Sequence, residues 1–348
     1  MTALARQNVP FDELRTLLTA ACRAVGGNEA TATSLTEATL SAHQFGPDAL
    51  GLPHFVDYLD ALEAGRINGN AAPAIAQPLP AILSMDAHGG IAQTGFDLVF
   101  PKLKETARAL GVVLFTQSNS YTSGELGYYV RRLAAEGLIA MAATNGPPLM
   151  AAQPGGQRVY CTNPFAFAAP GGPDGGQIIV DQSSSAVAFV KLIMAAAAGK
   201  EIPQGWAIDA HGAPTTDAAC AVEGALLPFG GARGANIALM VELLAAGVSG
   251  ANWSLDAPDF QTGDRSPGIG LTIIAFAPPP EFAERVAKHM RRLESLGVHV
   301  PGKRSASTPA RNSQPIPVDE TAFLKIAAFA ARLSRAAHHN GAPDNEHR

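Results

Sequence analysis

Aromatic residues are scarce, at 6% of the chain, and charged residues make up only 16%. Cysteine is rarer still. Cys22, Cys161 and Cys220 are the only three, far apart and outside any CxxC pattern, so they form neither a zinc signature nor a disulfide framework. A reducing compartment follows as the expectation, and no metal site is expected. Basic clusters are absent at a net charge of −5, which argues against nucleic acid as a partner. Long apolar runs are also missing. The windows 138–143, 192–198 and 237–248 are too short or too interrupted to cross a bilayer. The N-terminus turns acidic before any apolar run develops, so no signal peptide is expected. These absences together predict a soluble, cytoplasmic protein that does not act on membranes.

What is present is apolar bulk, with 47% hydrophobic residues in 348, enough for one large domain or two ordinary ones. Glycine is abundant, with 35 residues, which fits close packing and tight turns. There is no internal repeat. Helical spacing appears after Val9-Pro10-Phe11, over 29–44 and over 55–64, with Gly65 as a stop. Between the second and third helices lies FGPDALGLPHF, residues 45–55. Gly46, Pro47, Asp48 and Gly51 make it a sharp, rigid joint, with His43 before it and His54 at its end.

Downstream, 81–85 and 91–93 are expected as strands around a Gly-rich turn, followed by a helix over 95–110. A buried strand at 112–117, a polar loop at 118–125, a helix to 136 and a strand at 138–143 form a βαβ unit. The ligand crevice of such a unit lies outside the carboxyl ends of its strands, which makes the polar loop a binding candidate. Residues 144–156 are expected as a surface loop. Strands follow at 165–170 and 177–181. The second ends in Asp181-Gln182-Ser183-Ser184-Ser185 before a helix from about 186, which suits either an anion at a helix N-terminus or plain serine capping. Gly230-Gly231-Ala232-Arg233-Gly234 is a glycine-rich turn carrying a cation into another helix, a second phosphate-type cradle but not GxGxxG or a P-loop. A strand at 271–276, an amphipathic helix at 281–296, a polar Pro-rich stretch at 302–317, a helix at 319–336 and a polar, disordered tail complete the expectation.

Several of these stretches resemble one family. LEAGRING (62–69), TNPFAFAAP (162–170), IPQGWAIDAHGAPTTD (202–217) and GALLPFGGARGANIALMVELLAAGVSG (224–250) are similar, in order and spacing, to the type-2 malate/L-lactate dehydrogenases. ALLPFGG and NSYTSGELGYYVRRLAAEGL (119–138) look most like the branch that reduces Δ1-pyrroline-2-carboxylate and Δ1-piperideine-2-carboxylate with NAD(P)H. The resemblance implies an α/β protein with a mixed central sheet, unrelated to the Rossmann dehydrogenases, and a homodimer with the cofactor site near the partner subunit. It divides the chain into an N-terminal helical segment (1–75), a cofactor-binding α/β core (76–301) and a C-terminal loop, helix and tail (302–348). It implies NADPH or NADH as cofactor. The contacts would come from Thr122, Ser123, Gly124, Glu125 and Leu126, from Thr162, from Asp181, Gln182 and Ser183, and from Arg233 (where the family usually has Lys), Gly302 and Arg304.

The joint departs from the family. Where the family has Gly-x-x-Ser-His-Gly and then an Arg, this chain has Gly46-Pro47-Asp48-Ala49-Leu50-Gly51 and then His54. Ala49 and Leu50 replace the Ser-His pair that donates a proton, and Lys191 stands where the imine-reducing branch has the Asp of its relay. Reducing a ketone leaves an alkoxide that needs a general acid, worth roughly 10²–10⁴-fold. An imine can arrive already protonated and needs only hydride. The expected function is therefore NAD(P)H-dependent reduction of a cyclic imine or related 2-oxo acid with an altered acid. His54 and Lys191 are the candidate catalytic residues, and Tyr121 and Tyr128 are weighed against plain packing. The alternative is a cofactor-binding homologue that has lost dehydrogenase activity. Neither the substrate nor NAD against NADP is readable from these residues.

Overall fold

The structure is a computed structural model that describes residues 6–46, 48–171, 176–302 and 315–339. The two chain ends share one core. Helices α1 (Phe11–Ala24), α2 (Glu29–Phe45) and α3 (Leu52–Glu63) pack with α10 (Glu320–His339) through Leu14, Leu18, Leu35, Phe55, Leu59 and Ile326. Strand β1 (Arg6–Val9) pairs antiparallel with β14 (Ile316–Asp319) beside them. Asn28 caps α2 by accepting from Thr31 N at 2.9 Å. Helix α3 begins three residues earlier than the spacing at 55–64 suggests, because Pro53 falls in its first turn, where a missing N–H costs nothing. Between α2 and α3, residues 48–50 form one turn of 3₁₀-helix.

The seven-stranded sheet has the order β2 (Ala76–Leu79), β3 (Ile82–Asp86), β4 (Val112–Ser120), β13 (Ile269–Phe276), β5 (Ile139–Thr144), β8 (Phe165–Pro170), β9 (Gln177–Gln182). Only β3 and β4 pair in parallel, so the sheet is mixed, as expected. Helices α4 (Ala92–Leu110) and α5 (Gly127–Ala135) cover it through Phe96, Val99, Tyr129 and Leu133. The β4–α5–β5 unit is present, but β13 is inserted between its two strands and pairs antiparallel with both. Residues 91–93 are not a strand. Ile91 precedes α4, and Gln93 in its first turn is buried, donating to Ser123 O of the polar loop and to Tyr58 OH of α3.

A second, five-stranded sheet has the order β11 (Pro214–Thr215), β10 (Ala207–Ile208), β12 (Ala225–Leu226), β6 (Met150–Ala151), β7 (Arg158–Tyr160). It carries its own core with α6 (Phe189–Ala197), α7 (Ala218–Glu223) and α8 (Ala232–Glu242). The stretch 144–156 is thus not wholly a surface loop. Met150 and Ala151 are fully buried because β12, about 75 residues away, gives Met150 a parallel partner. Helix α9 (Phe282–Ser295) forms as its amphipathic pattern predicts, yet none of its residues is buried in the single chain. No described helix is long and apolar enough to cross a membrane. The tail after 339 lies outside the described residues.

The LEAGRING stretch has a structural reason. Gly65 ends α3 at φ 75°. Gly69 O accepts from Asn28 N at 2.9 Å and from Thr31 Oγ1 at 3.1 Å, so the stretch clamps the start of α2. A Cβ on Gly69 would collide with the carbonyl of Gly26. Gly69→Ala should destabilise the protein by about 1–3 kcal/mol, the usual cost of forcing atoms into a packed site. Urea unfolding followed by fluorescence checks this, and an unchanged midpoint would contradict it.

Candidate active site

Strand β4 delivers the polar loop at its carboxyl end, and side chains from three elements hold that loop. Gln93 Nε2 of α4 and Tyr129 OH of α5 donate to Ser123 O at 3.0 and 2.7 Å. Tyr58 OH of α3 donates to Thr122 O at 3.1 Å and accepts from Thr122 Oγ1 at 2.6 Å and Gln93 Nε2 at 3.0 Å. Gly124 takes φ 65°, a left-handed turn that glycine accepts without strain. Glu125 is buried, and Arg131 grips it with both guanidinium nitrogens at 2.6–3.1 Å. The same guanidinium lies over the Phe45 ring at 4.4 Å, and a Cβ on Gly46 would press on the Glu125 carboxylate. The loop is therefore packed against the start of the joint.

The end of β9 meets the same loop. Asp181 Oδ2 accepts from Gly127 N at 2.7 Å while its side chain stays accessible. Desolvation pushes the Asp181 carboxyl up, against the pull of the Gly127 N–H and of Arg131. Burial likewise pushes Glu125 up to about 7, against the Arg131 guanidinium. Beyond Gln182 and Ser183 the chain turns under Thr162. Ser184 N donates to Thr162 O at 2.8 Å, and Ser184 O accepts from Phe229 N at 3.0 Å. Thr162, Ser183 and the Gly230–Gly231 turn are thereby neighbours of the β9 end. Arg233 follows on the first turn of α8 with an exposed side chain. Gly302 sits over the start of β9, where a Cβ would strike Gln177 O. Arg304 lies outside the described residues.

One expected feature does not form. The Ser183–Ser185 run does not open a helix, because α6 starts only at Phe189. Its donors are used elsewhere: Ser184 Oγ donates to Asn163 O at 2.7 Å, Ser185 Oγ to Val187 O at 2.8 Å, and Ala186 N to Leu227 O at 2.8 Å. Neither a serine-capped helix nor a helix-terminus anion cradle exists there. The run is a crossover between the two sheets, and its backbone is claimed by both.

The candidate catalytic residues part company. His54 reaches the loop: Nδ1 is 2.9 Å from Asp57 Oδ2, Nε2 is 3.3 Å from Thr122 Oγ1, and the ring meets Tyr58 and Phe260 edge-on. Lys191 is exposed on α6, and its ammonium makes no hydrogen bond or ion pair among the described residues. Ala49 and Leu50 are half-buried in the joint. Tyr121 and Tyr128 pack: their hydroxyls donate to Phe260 O at 2.8 Å and Asp97 Oδ1 at 3.3 Å, and burial pushes both phenols up.

The sequence reading missed Asp57, Tyr58, Gln93, Arg131 and Glu242. The spacing of His54, Asp57 and Tyr58 at i, i+3 and i+4 on one helix could have found the first two. Nothing local marks Glu242. It is a buried carboxylate accepting from Asn163 Nδ2 at 2.7 Å, Ser254 N at 2.6 Å and Ser254 Oγ at 2.8 Å, and so it fixes the residue after Thr162.

Residues 9–327 match the profile of the malate/L-lactate dehydrogenase family, and the chain belongs to that family. It is 34% identical over 329 residues to the (2R)-3-sulfolactate dehydrogenase (NADP(+)) of Chromohalobacter salexigens, covering 92% of this chain and 98% of that protein. It is 34% identical over 304 residues to the Δ1-pyrroline-2-carboxylate/Δ1-piperideine-2-carboxylate reductase of Pseudomonas putida, covering 85% and 89%. The Δ1-piperideine-2-carboxylate reductase from Pseudomonas syringae superposes with a TM-score of 0.86 at 30% identity, covering 93% of this chain and 99% of that one. The family and the mixed, non-Rossmann α/β fold read from the sequence are both correct.

Because the folded protein holds the Glu125 proton more tightly than the unfolded chain, this group favours folding most at low pH. Its contribution is lost as pH rises from the ordinary carboxyl range to about 7. Glu125→Gln, neutral at every pH, should gain in Tm relative to wild type across that window and run parallel to it above. Calorimetric Tm values between pH 4.5 and 8 test this, and a constant offset would show that Glu125 does not titrate there.

Proposed function

We propose that this protein is an NAD(P)H-dependent reductase of small molecules that carry C=N or C=O beside a carboxylate, with cyclic imino acids favoured over 2-oxo acids. The observation that carries the reading is the Gly127 N to Asp181 hydrogen bond. It fastens the loop of Thr122–Leu126 to the end of β9, and so gathers loop, Asp181, Gln182, Ser183 and Thr162 along one rim. The donor set there fits a dinucleotide. The accessible Asp181 carboxylate suits ribose hydroxyls, the backbone of the loop and Ser183 suit a phosphate edge, and Arg233 supplies a cation. Arg in place of Lys keeps the charge and changes its geometry. The sulfolactate dehydrogenase relative is named for NADP(+), which supports NADPH as the first cofactor to try.

When bound, the reduced nicotinamide supplies a hydride. What the chain supplies is position and surroundings. Ala49 and Leu50 offer no proton at the joint, and Leu50 makes its environment more apolar. A protonated imine takes hydride at carbon while its π pair moves to nitrogen, giving a neutral amine with no further proton required. A carbonyl treated in the same way becomes an alkoxide and waits for an acid. The pyrroline- and piperideine-carboxylate reductases among the relatives support the imine preference. A homodimer, a cytoplasmic location and the division at 75/76 and 301/302 belong to the same proposal.

Fluorescence titration with NADPH and NADH, followed by oxidation assays with Δ1-piperideine-2-carboxylate and pyruvate, tests it. Saturable binding with faster turnover of the imine is expected. Absence of binding would refute the reading, and binding without turnover of either compound would leave a homologue that has lost dehydrogenase activity. Restoring Ser and His together, Ala49→Ser with Leu50→His, should raise pyruvate reduction relative to imine reduction if the pocket is otherwise intact, by up to roughly 10²-fold where no other side chain supplies the proton.

A further inference from the structure

We propose that His54 and Asp57, one turn apart on α3, form a substitute acid pair for this site. Asp57 holds the ring, and His54 delivers the proton that Leu50 cannot. The inference rests on the reductase reading above and adds the residues that would protonate an oxygen.

Four observations lead to it. First, His54 is the imidazole that the fold brings onto the cofactor-side loop, with Nε2 3.3 Å from Thr122 Oγ1. Second, the opposite ring nitrogen is secured by Asp57 at 2.9 Å, and the other Asp57 oxygen accepts from Gln261 Nε2 at 3.1 Å. A carboxylate pinned from both sides orients an imidazole and stabilises its charged form.

Third, the hydrogen bonds around Thr122 assign the protons. The Thr122 hydroxyl donates to Tyr58 OH at 2.6 Å, Tyr58 donates to Thr122 O at 3.1 Å, and Gln93 Nε2 donates to Tyr58 OH at 3.0 Å. With the Thr122 proton used, Nε2 must be the donor toward Thr122 Oγ1. Nδ1 faces the Asp57 carboxylate, so each ring nitrogen stands against an oxygen that can accept its proton. Once Nε2 gives up its proton, the Thr122 hydroxyl can turn and donate back to it. Fourth, the ring is enclosed but not sealed, with 13% of its side chain exposed. Tyr58 and Phe260 meet the ring in T-shaped contacts, and Nε2 is directed at Thr122 of the loop.

The other groups near the ring do not compete for the role. Burial pushes the Tyr58 phenol up to about 12, too weak an acid for the task, so Tyr58 positions Thr122. Asp60 lies about one helical turn beyond Asp57, and burial and then the Asp57 charge push its carboxyl up, with Lys325, Glu63 and Arg66 also near. Arg66 donates to Gly263 O at 3.3 Å, and Asp259 accepts from Gln261 N and Thr262 N within its own turn at 2.8 Å.

A bound reduced nicotinamide would supply hydride to the carbonyl carbon, and the C=O π pair would move onto oxygen; what the chain itself adds is the proton. The His54 Nε2–H bond breaks, its proton goes to that oxygen, and its electron pair stays on the ring. The products are an alcohol, the oxidised cofactor and a neutral imidazole still donating from Nδ1 to Asp57. Solvent restores the Nε2 proton.

The test compares wild type, His54→Asn, Asp57→Asn and Asp57→Glu on pyruvate and on Δ1-piperideine-2-carboxylate, with thermal unfolding and NADPH affinity as checks of folding. His54→Asn should lower kcat for pyruvate by roughly 10²–10⁴-fold while kcat for the imine falls less than about 10-fold. Asp57→Asn should lower pyruvate kcat in the same selective way, and Asp57→Glu should recover part of it. An equal rise in KM for both substrates, with kcat unchanged, would overturn the proposal and leave His54 as a carboxylate anchor. So would a wild-type enzyme that turns over the imine but no 2-oxo acid. If wild type turns over neither compound, the reductase reading itself fails, which is a separate result.

Discussion

The buried ion pair between Glu125 and Arg131 is the contact on which the site's assembly depends. Glu125 belongs to the polar loop and Arg131 to the helix that follows it, so the pair first sets the loop's shape. It then reaches outward. Arg131 stacks under Phe45, and the Glu125 carboxylate fills the space that the missing side chain of Gly46 leaves. Removing the arginine would leave the Glu125 carboxyl buried without its partner, a costly state wherever that carboxyl is ionised. Asp181 adds a second carboxylate beside it, held by the first amide of α5. Two carboxylates and one guanidinium thus join the α2–α3 joint, the loop and the edge strand of the large sheet.

That arrangement keeps the joint in place whichever residues stand at positions 49 and 50. Its position is fixed by Gly46, Phe45 and the α3 core residues, none of which takes part in proton transfer. Residues 49 and 50 can therefore vary in chemistry while the backbone stays where it is. Across α3, His54 and Tyr58 grip the same loop from the other side through Thr122. The loop is held by two sets of contacts, one built on Glu125 and Arg131 and one on the hydroxyls of Thr122 and Tyr58, and the second set contains an imidazole.

Local chemistry made much of the fold legible. Helices α1 and α2 and strands β4, β5, β8, β9 and β13 fall close to where apolar period, glycine stops and Pro positions put them. The errors share one cause, competition from partners far away in sequence. Residues 91–93 have a strand-like run, but Gln93 is drawn into α4 by Tyr58 and Ser123. Met150–Ala151 lies in a stretch rich in proline and glycine, yet β12 turns it into a buried strand. The serines after Asp181 carry a helix-capping signature, but Thr162, Asn163 and Leu227 take their donors and acceptors first.

For the site, the sequence by itself determined which residue types are available and which are missing. Leucine at position 50 cannot donate a proton in any fold, and Asp181 brings a carboxyl and Arg233 a guanidinium wherever they lie. Only the tertiary structure decided which of these meet. His54 and Lys191 were equal candidates on paper, one at each of two altered positions. The packing of α3 against the loop gave His54 a carboxylate, a hydroxyl and two aromatic walls, while α6 left Lys191 exposed in the other sheet's layer. The reason is that proton transfer works over hydrogen-bond distances, and those distances are set by packing between segments that no local pattern relates.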